Sequence, residues 1–259
     1  KSKSMNIKTW FRIFFLWGFT LCAQAKPVQI AVAANFSKPM QSLVTEFEKD
    51  YDYQIAMSFG SSGKFYAQIK QGAPYELFFS ADQTKPDVLQ QEGLVVAESR
   101  FTYAIGRLVL WTVRHDFANK IEMKLKGGAF NKLAIANPKL APYGAASLQV
   151  LNYLELTDDT QTKWVRGENI AQTYQFVHSG NADLGFVALS QLLGRNNMTE
   201  GFYWLVPDNM HQPIKQDVVL LKRAAKSQGA KTFLDFIHTE KAQSIIAEYG
   251  YLTSNGGQE

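Results

Sequence analysis

Between Val28 and Gln91 the chain repeats one unit three times: a short apolar run, a loop of small, hydroxyl or amide residues, and an amphipathic stretch. A brief apolar run bounded by such a loop reads as a buried strand, and strands alternating with helix-period stretches define an α/β protein. The runs are Val28-Gln29-Ile30-Ala31-Val32, residues 53–59 and Glu76-Leu77-Phe78-Phe79-Ser80. Each is followed by a helical pattern, over residues 38–51, 63–71 and 86–91. In the first of these, Met40, Leu43, Val44 and Phe47 fall on one face. Gly72 closes the second, as a residue free to turn left-handed would.

A second block of the same kind starts near Arg107-Leu108-Val109-Leu110-Trp111. It holds strand patterns at Lys132-Leu133-Ala134-Ile135-Ala136 and Leu184-Gly185-Phe186-Val187, and helical patterns over 144–155 and 169–178. The chain ends with Val218-Val219-Leu220-Leu221 and helices over 230–238 and 241–249. Two blocks of domain size suit a cleft between lobes. No Pro-rich linker separates them, so the crossover is expected to be a short hinge of extended strands.

The connecting loops carry the chemistry. Ala33-Ala34-Asn35-Phe36-Ser37, Ser58-Phe59-Gly60-Ser61-Ser62-Gly63, Ser80-Ala81-Asp82-Gln83 and Pro142-Tyr143-Gly144-Ala145 each open a helix. The first helical turn leaves N–H groups without intrahelical partners at the positive end of the helix dipole. Several such ends aimed at one point enclose an oxyanion with no cationic side chain. A single Ser-Gly turn is usually only a cap worth about 1 kcal/mol, but such loops at three consecutive strand ends lie where open α/β sheets bind ligands. Asn35 can cap, and its amide can also donate to a ligand oxygen. Asp82 would repel an anion, so it is expected to turn away and cap its own helix, leaving the backbone N–H of Ala81 as the donor from that loop. Tyr143 offers a neutral hydroxyl, with burial in the core as its alternative role.

Lys8 and Arg12 lead into an apolar run over residues 13–21, and Ala23-Gln24-Ala25 follows. The run is about half the length of a membrane span. It therefore reads as a secretory signal peptide over residues 1–25, cleaved after Ala25, rather than an anchor. Of the 27 Lys and Arg residues, four (Lys1, Lys3, Lys8 and Arg12) lie here, which leaves 23 against 23 Asp and Glu. A balanced mature chain has no basic field for nucleic acid or an anionic membrane. The one cysteine, Cys22, lies in the same segment and follows Leu21, an unsuitable residue before a lipid-anchored cysteine. The mature chain then has neither disulfide nor cysteine metal site.

Enzyme signatures are absent: there is no Gly-x-Ser-x-Gly elbow, no phosphate loop ending in Gly-Lys-Ser/Thr and no His-Glu-x-x-His helix. His115, His178, His211 and His238 lie outside the small-residue loops, with no metal-ligand spacing. The chain reads as a binder and not an enzyme.

Six segments spread over most of the mature chain carry a resemblance: Val32-Ala33-Ala34-Asn35-Phe36, Ser58-Phe59-Gly60-Ser61-Ser62-Gly63, Gln68-Ile69-Lys70-Gln71-Gly72-Ala73-Pro74, Leu77-Phe78-Phe79-Ser80-Ala81-Asp82, Asn181-Ala182-Asp183-Leu184-Gly185-Phe186-Val187 and Glu248-Tyr249-Gly250-Tyr251. In these the chain resembles the periplasmic molybdate-binding proteins, receptors of molybdate ABC importers. The resemblance implies a two-lobed periplasmic-binding-protein fold of type II with the ligand in the cleft. Residues 26–106 would form the first part of lobe 1, 107–214 lobe 2, and 215–259 the return of the chain to lobe 1. It implies an oxyanion held by Asn35, where the family has a serine, by Ser62, Ala81 and the N–H of Ile170, with Ala34, Ser61 and Asn169 beside them. The family's Gly-Ile-Val-Tyr tyrosine is missing, because Gly185-Phe186-Val187-Ala188 stands there. Tyr143 is the expected replacement, donating from across the cleft.

Donors alone satisfy a fully deprotonated oxyanion, whereas protonated phosphate also wants an acceptor. Sulfate must then be excluded by size, and tungstate would be held like molybdate. A ferric-ion receptor is the rival reading and needs carboxylates with paired tyrosines; the pair in Tyr249-Gly250-Tyr251 is expected to pack or cap at a helix end. Sugar or amino-acid receptors need stacked aromatics or an arginine that these loops lack. The expected partner is a membrane permease, with no cofactor, no membrane insertion of the mature chain and a monomeric state.

Overall fold

The computed structural model describes residues 26–194 and 199–253; the expected signal segment, its cleavage site and Cys22 lie outside the described residues. In chain order the first elements are β1 (Val28–Ala33), α1 (Ser37–Asp50), β2 (Ile55–Gly60), α2 (Ser62–Lys70), β3 (Leu77–Phe79), α3 (Thr84–Gln91), β4 (Phe101–Gly106) and β5 (Leu108–Thr112). Then come α4 (Ile121–Lys126), β6 (Leu133–Ala136), α5 (Pro142–Tyr153), α6 (Thr157–Gln161), β7 (Trp164–Gly167), α7 (Ile170–His178), β8 (Leu184–Ala188) and α8 (Leu189–Leu192). The chain closes with β9 (Phe202–Leu205), β10 (Ile214–Leu220), α9 (Gln228–Ile237) and α10 (Glu240–Glu248).

Two five-stranded sheets result, in the orders β2-β1-β3-β10-β4 and β7-β6-β8-β5-β9. The two are built alike. In the first, β1 runs parallel to both β2 and β3, while β10 is antiparallel to β3 and β4. In the second, β6 runs parallel to β7 and β8, and β5 is antiparallel to β8 and β9. Each sheet is the centre of one lobe. Between β4 and β5 the chain passes from one sheet to the other within Gly106–Leu108, a hinge of extended backbone.

The helices settle where their apolar faces require. Met40, Leu43, Val44 and Phe47 of α1 are all buried, packed with Phe233, Phe236 and Ile246 from the terminal helices. Burying each such side chain contributes about 1.5–3 kcal/mol. The second lobe closes its core around Leu110, Leu133, Ile135, Val150 and Phe186. Five of its elements, α4, α6, β7, α8 and β9, have no counterpart among the sequence-based assignments. β9 and β7 are edge strands of four residues each, too short to show a period in the sequence.

In each sheet the central parallel strand has neighbours on both sides whose connections leave in opposite directions. That is the switch point at which a crevice opens outside the carboxyl ends of the strands. The two crevices face each other.

Candidate functional site

Five loops leave the carboxyl ends of β1, β2, β3, β6 and β7, and they meet in one cavity between the sheets. Its walls are Ala33, Ala34 and Asn35; Gly60, Ser61 and Ser62; Ala81; Ala141, Pro142 and Tyr143; and Asn169 and Ile170. The structure therefore brings together Asn35, Ser62, Ala81, Tyr143 and Ile170, with Ala34, Ser61 and Asn169 among them. None of these twelve wall residues is charged. The cavity measures about 10 Å³, near the size of one water-sized sphere. Sites for organic ligands run to several hundred Å³, roughly 300–1,000.

Local chemistry explains each wall. Ser61 caps α2, its Oγ accepting from the Lys64 N–H at 3.4 Å, so Ser62 begins the helix with its side chain fully buried. Ser62 Oγ accepts from the N–H of Ala81 at 2.9 Å. Having accepted there, the hydroxyl keeps its proton to give. Asn169 caps α7 by accepting from the Gln172 N–H at 3.0 Å, which leaves Ile170 as the first helical residue, without an intrahelical partner for its N–H. Gln191 steadies that helix start, its Nε2 donating to the Ile170 carbonyl at 3.0 Å.

Asp82 behaves as charge repulsion demands. Its carboxylate accepts from the Lys85 N–H at 3.2 Å and from Ser80 Oγ at 3.1 Å, pairs with the Lys85 ammonium, and takes no part in the cavity wall.

Tyr143 sits on the first turn of α5 with only 1% exposure and crosses to the first lobe, where Gln216 Nε2 donates to its hydroxyl at 3.5 Å. Asn35 is held from the same side: its Nδ2 donates to Gln216 Oε1 at 2.8 Å and to the Tyr251 hydroxyl at 2.9 Å. The Tyr251 hydroxyl is also within reach of the Asn35 carbonyl, 3.0 Å, and of Ser190 Oγ, 2.9 Å. Tyr251 packs in the first-lobe core, as expected of the terminal tyrosine pair, and its hydroxyl also braces Asn35 from behind the cavity wall. Tyr249 fits that expectation too, bonding Ser42 Oγ at 2.7 Å. Burial raises the pKa of Tyr143 and Tyr103 well above the ordinary phenol value, and pushes Tyr251 up to about 12. All three hydroxyls keep their protons at physiological pH.

The lobes touch around the cavity. The Gly63 N–H donates to the Leu140 carbonyl at 2.9 Å, Lys64 pairs with Glu168, and Ser190 Oγ donates to the Asn35 carbonyl at 2.8 Å. Lys38 Nζ donates to the Gln191 carbonyl at 2.6 Å. This is the closed arrangement of a hinged pair of lobes.

Gly144 permits the close approach of α5 to β6. A Cβ there would lie 2.2 Å from the Ala136 carbonyl oxygen. Gly144→Ala must push the helix off its strand and carry Tyr143 with it, a backbone overpacking that costs about 1–3 kcal/mol. A lowered urea midpoint, with unchanged slope, is the expected observation.

The sequence reading passed over Gln216, Tyr103, Ser190 and Gln191. The polar pair Gln216-Asp217, standing directly ahead of the apolar run 218–221, was the available signal. The four histidines stay outside the cavity wall, and among the described residues no group of three or more His, Cys, Asp or Glu side chains could hold a metal ion. No helix among the described residues is long and apolar enough to cross a membrane.

Two lobes closed by a hinge over a small, uncharged, donor-lined cavity define a solute-binding protein. Residues 28–252 match the family described as Bacterial extracellular solute-binding protein, and the chain belongs to that family. It is accordingly an exported protein that holds its solute without transforming it, and not an enzyme. The chain is 48% identical over 235 residues to the Molybdate-binding protein ModA of Azotobacter vinelandii, which spans 90% of this chain and 93% of that one. It is 43% identical over 240 residues to the protein of the same name from Rhodobacter capsulatus, across 91% and 92% of the two chains. The solved structure of the Azotobacter vinelandii periplasmic molybdate-binding protein superimposes with a TM-score of 0.84 at 39% identity, covering 87% of this chain and 98% of that one. These relatives bear out the resemblance read from the sequence. The sulfate-binding protein SubI of Mycobacterium tuberculosis, at 14% identity and a TM-score of 0.72, shares the fold alone.

Proposed function

We propose that the chain captures molybdate, and tungstate with it, in the periplasm and hands it to the permease of an ABC importer. The observation that carries this reading is the composition of the cavity wall: it offers hydroxyls and backbone N–H groups, and no residue in it carries a charge. Such a wall matches a ligand made only of acceptors.

In this reading Ser62 and Tyr143 give their hydroxyl protons, and Ile170 and Ala81 give backbone N–H groups. The Ala81 N–H is then shared with Ser62 Oγ. Asn35, with Ala34 beside it, forms the wall between them, and Ser61 and Asn169 hold the two helix starts in place. Residues 26–106 and 215–259 act as one lobe and 107–214 as the other, so each lobe brings part of the shell and closure completes it. The importer's permease then meets a surface to which both lobes contribute. The signal segment 1–25, cleaved after Ala25, delivers the mature chain, which works as a monomer without a cofactor. Sulfate is rejected because a smaller ion leaves donors stretched, each costing about 1–3 kcal/mol.

Tyr143→Phe tests the reading by removing one donor and little else. Isothermal titration should show molybdate and tungstate binding weakened by about tenfold or more, the worth of one hydrogen bond to a charged group. Equal affinity in wild type and variant would return Tyr143 to a packing role. Binding of sulfate, phosphate or ferric citrate in preference to molybdate would overturn the assignment.

A further inference from the structure

The two passages of the chain between lobes, β4 to β5 and β9 to β10, lie at the same end of both sheets. The other end is formed by β2 in the first lobe and by β7 in the second. Gly63, near the start of α2 and just after β2, meets Leu140 in the turn that follows β6. Beside it Lys64 pairs with Glu168, just after β7. A hinge moves its lobes farthest apart at the end remote from it, so these contacts form as the lobes close and part as they open.

Lys38 and Ser190 cross between the lobes with side chains, which can follow a small shift. The Lys64–Glu168 pair is half-exposed on both sides, and such a pair is worth about fivefold at most in an equilibrium. Gly63 and Leu140 instead meet backbone to backbone, N–H to carbonyl at 2.9 Å. Outside its own helix, the nearest atoms to a Cβ on Gly63 would be the Leu140 Cα and carbonyl oxygen, each at 3.0 Å, and Cδ2 at 3.3 Å. Ordinary carbon contacts lie at about 3.5–4 Å. Leu140 has little room to give, because its turn lies between Pro138 and Pro142. Its N–H and that of Ala141 donate to the Asn137 carbonyl at 3.0 and 2.9 Å, and the Asn137 N–H is tied to the Gly167 carbonyl at 2.7 Å. The backbone at Gly63 does not itself call for glycine: it is helical and outside the left-handed region, where alanine is the better helix former.

We propose that Gly63 is a positioning residue for closure: its missing side chain lets the lobes meet backbone to backbone opposite the hinge, and thereby sets the affinity for an ion it does not touch. The proposal rests on the oxyanion-receptor reading and deepens it. Neither Gly63 nor Leu140 belongs to the cavity wall. A methyl group at Gly63 leaves every wall residue in place and acts by holding the two halves of the shell apart.

Gly63→Ala in the mature full-length chain should weaken molybdate binding by about tenfold in titration calorimetry, the effect of a small backbone overpacking. The urea midpoint of the ligand-free variant should be no lower than that of the wild type, since open lobes do not meet the added methyl and α2 gains a better helix former. Leu140→Gly strips the side chain and loosens the turn. In that background Gly63→Ala should weaken binding by less than about threefold. Affinity within about twofold of wild type in Gly63→Ala overturns the proposal. A ligand-free midpoint that falls along with the affinity also overturns it, because Gly63 is then a packing residue of its own lobe. Equal losses of affinity with Leu140 and with Gly at that position overturn it as well, because the effect then lies within α2. Failure of the wild-type protein to bind molybdate would overturn the receptor reading and this proposal together. Wild-type binding without the loss in Gly63→Ala overturns this proposal alone.

Discussion

Asn35→Asp should weaken molybdate binding by about a thousandfold. The substitution changes one atom of an all but fully buried side chain on the cavity wall, yet it replaces a double donor by a carboxylate. Two like charges about 4 Å apart repel by about 4 kcal/mol at the effective dielectric of a partly enclosed site. The bonds from Nδ2 to Gln216 Oε1 and to the Tyr251 hydroxyl are lost as well. Titration calorimetry on Asn35→Asp, with Asn35→Ser as the control that loses the same two bonds without adding a charge, separates charge from shape. The serine variant should lose clearly less affinity than the aspartate. Equal loss in both variants would mean that Asn35 matters for packing and not for the field at the anion.

The largest expected loss of stability lies one residue beyond Gln216. Asp217 is 2% exposed and receives Arg100 Nε at 2.7 Å, Thr102 Oγ1 at 2.7 Å and Gln83 Nε2 at 3.1 Å. Arg100 also reaches Asp87 at 2.6 Å, so one guanidinium ties β10 to α3 and to the start of β4. Burial opposes the arginine's charge, but the bonds to Asp217 and Asp87 raise its pKa overall. Arg100→Leu strands a buried carboxylate, a change that typically costs about 3–5 kcal/mol. Urea unfolding should show the midpoint fall accordingly. The pair Arg100→Leu with Asp217→Asn should regain part of the loss, because no charge is then left unpaired. A midpoint unchanged in Arg100→Leu would show that Thr102 and Gln83 alone suffice for Asp217.

Much of the first lobe can be read from the chain because its strands are short apolar runs closed by small-residue loops, a pattern that survives without tertiary information. The wall residues Asn35, Ser62, Ala81 and Tyr143 follow from loops of this kind, and Ile170 from family resemblance. What stays hidden is non-local. Gln216 lies 181 residues from Asn35 in sequence, and only the return of β10 to the first sheet brings the two side chains together. Tyr251 reaches Asn35 from beyond α10, where a tyrosine beside a glycine looks like a helix end. The edge strand β9 is only four residues long, Phe202 to Leu205, too short a run to stand out in the sequence although its residues suit a strand. The expectation for Asp82 succeeded because it rested on repulsion, which needs no knowledge of the partner that finally receives the carboxylate.

The central claim is that a molybdate ion occupies the cavity between the lobes. Crystals of the mature chain grown with molybdate, with diffraction measured on both sides of the molybdenum absorption edge, test it most directly. The account predicts one anomalous peak within hydrogen-bond reach of Ser62, Ala81, Tyr143 and Ile170, with no cationic side chain in contact. No peak in that cavity, or a peak seated on charged residues elsewhere, would contradict it.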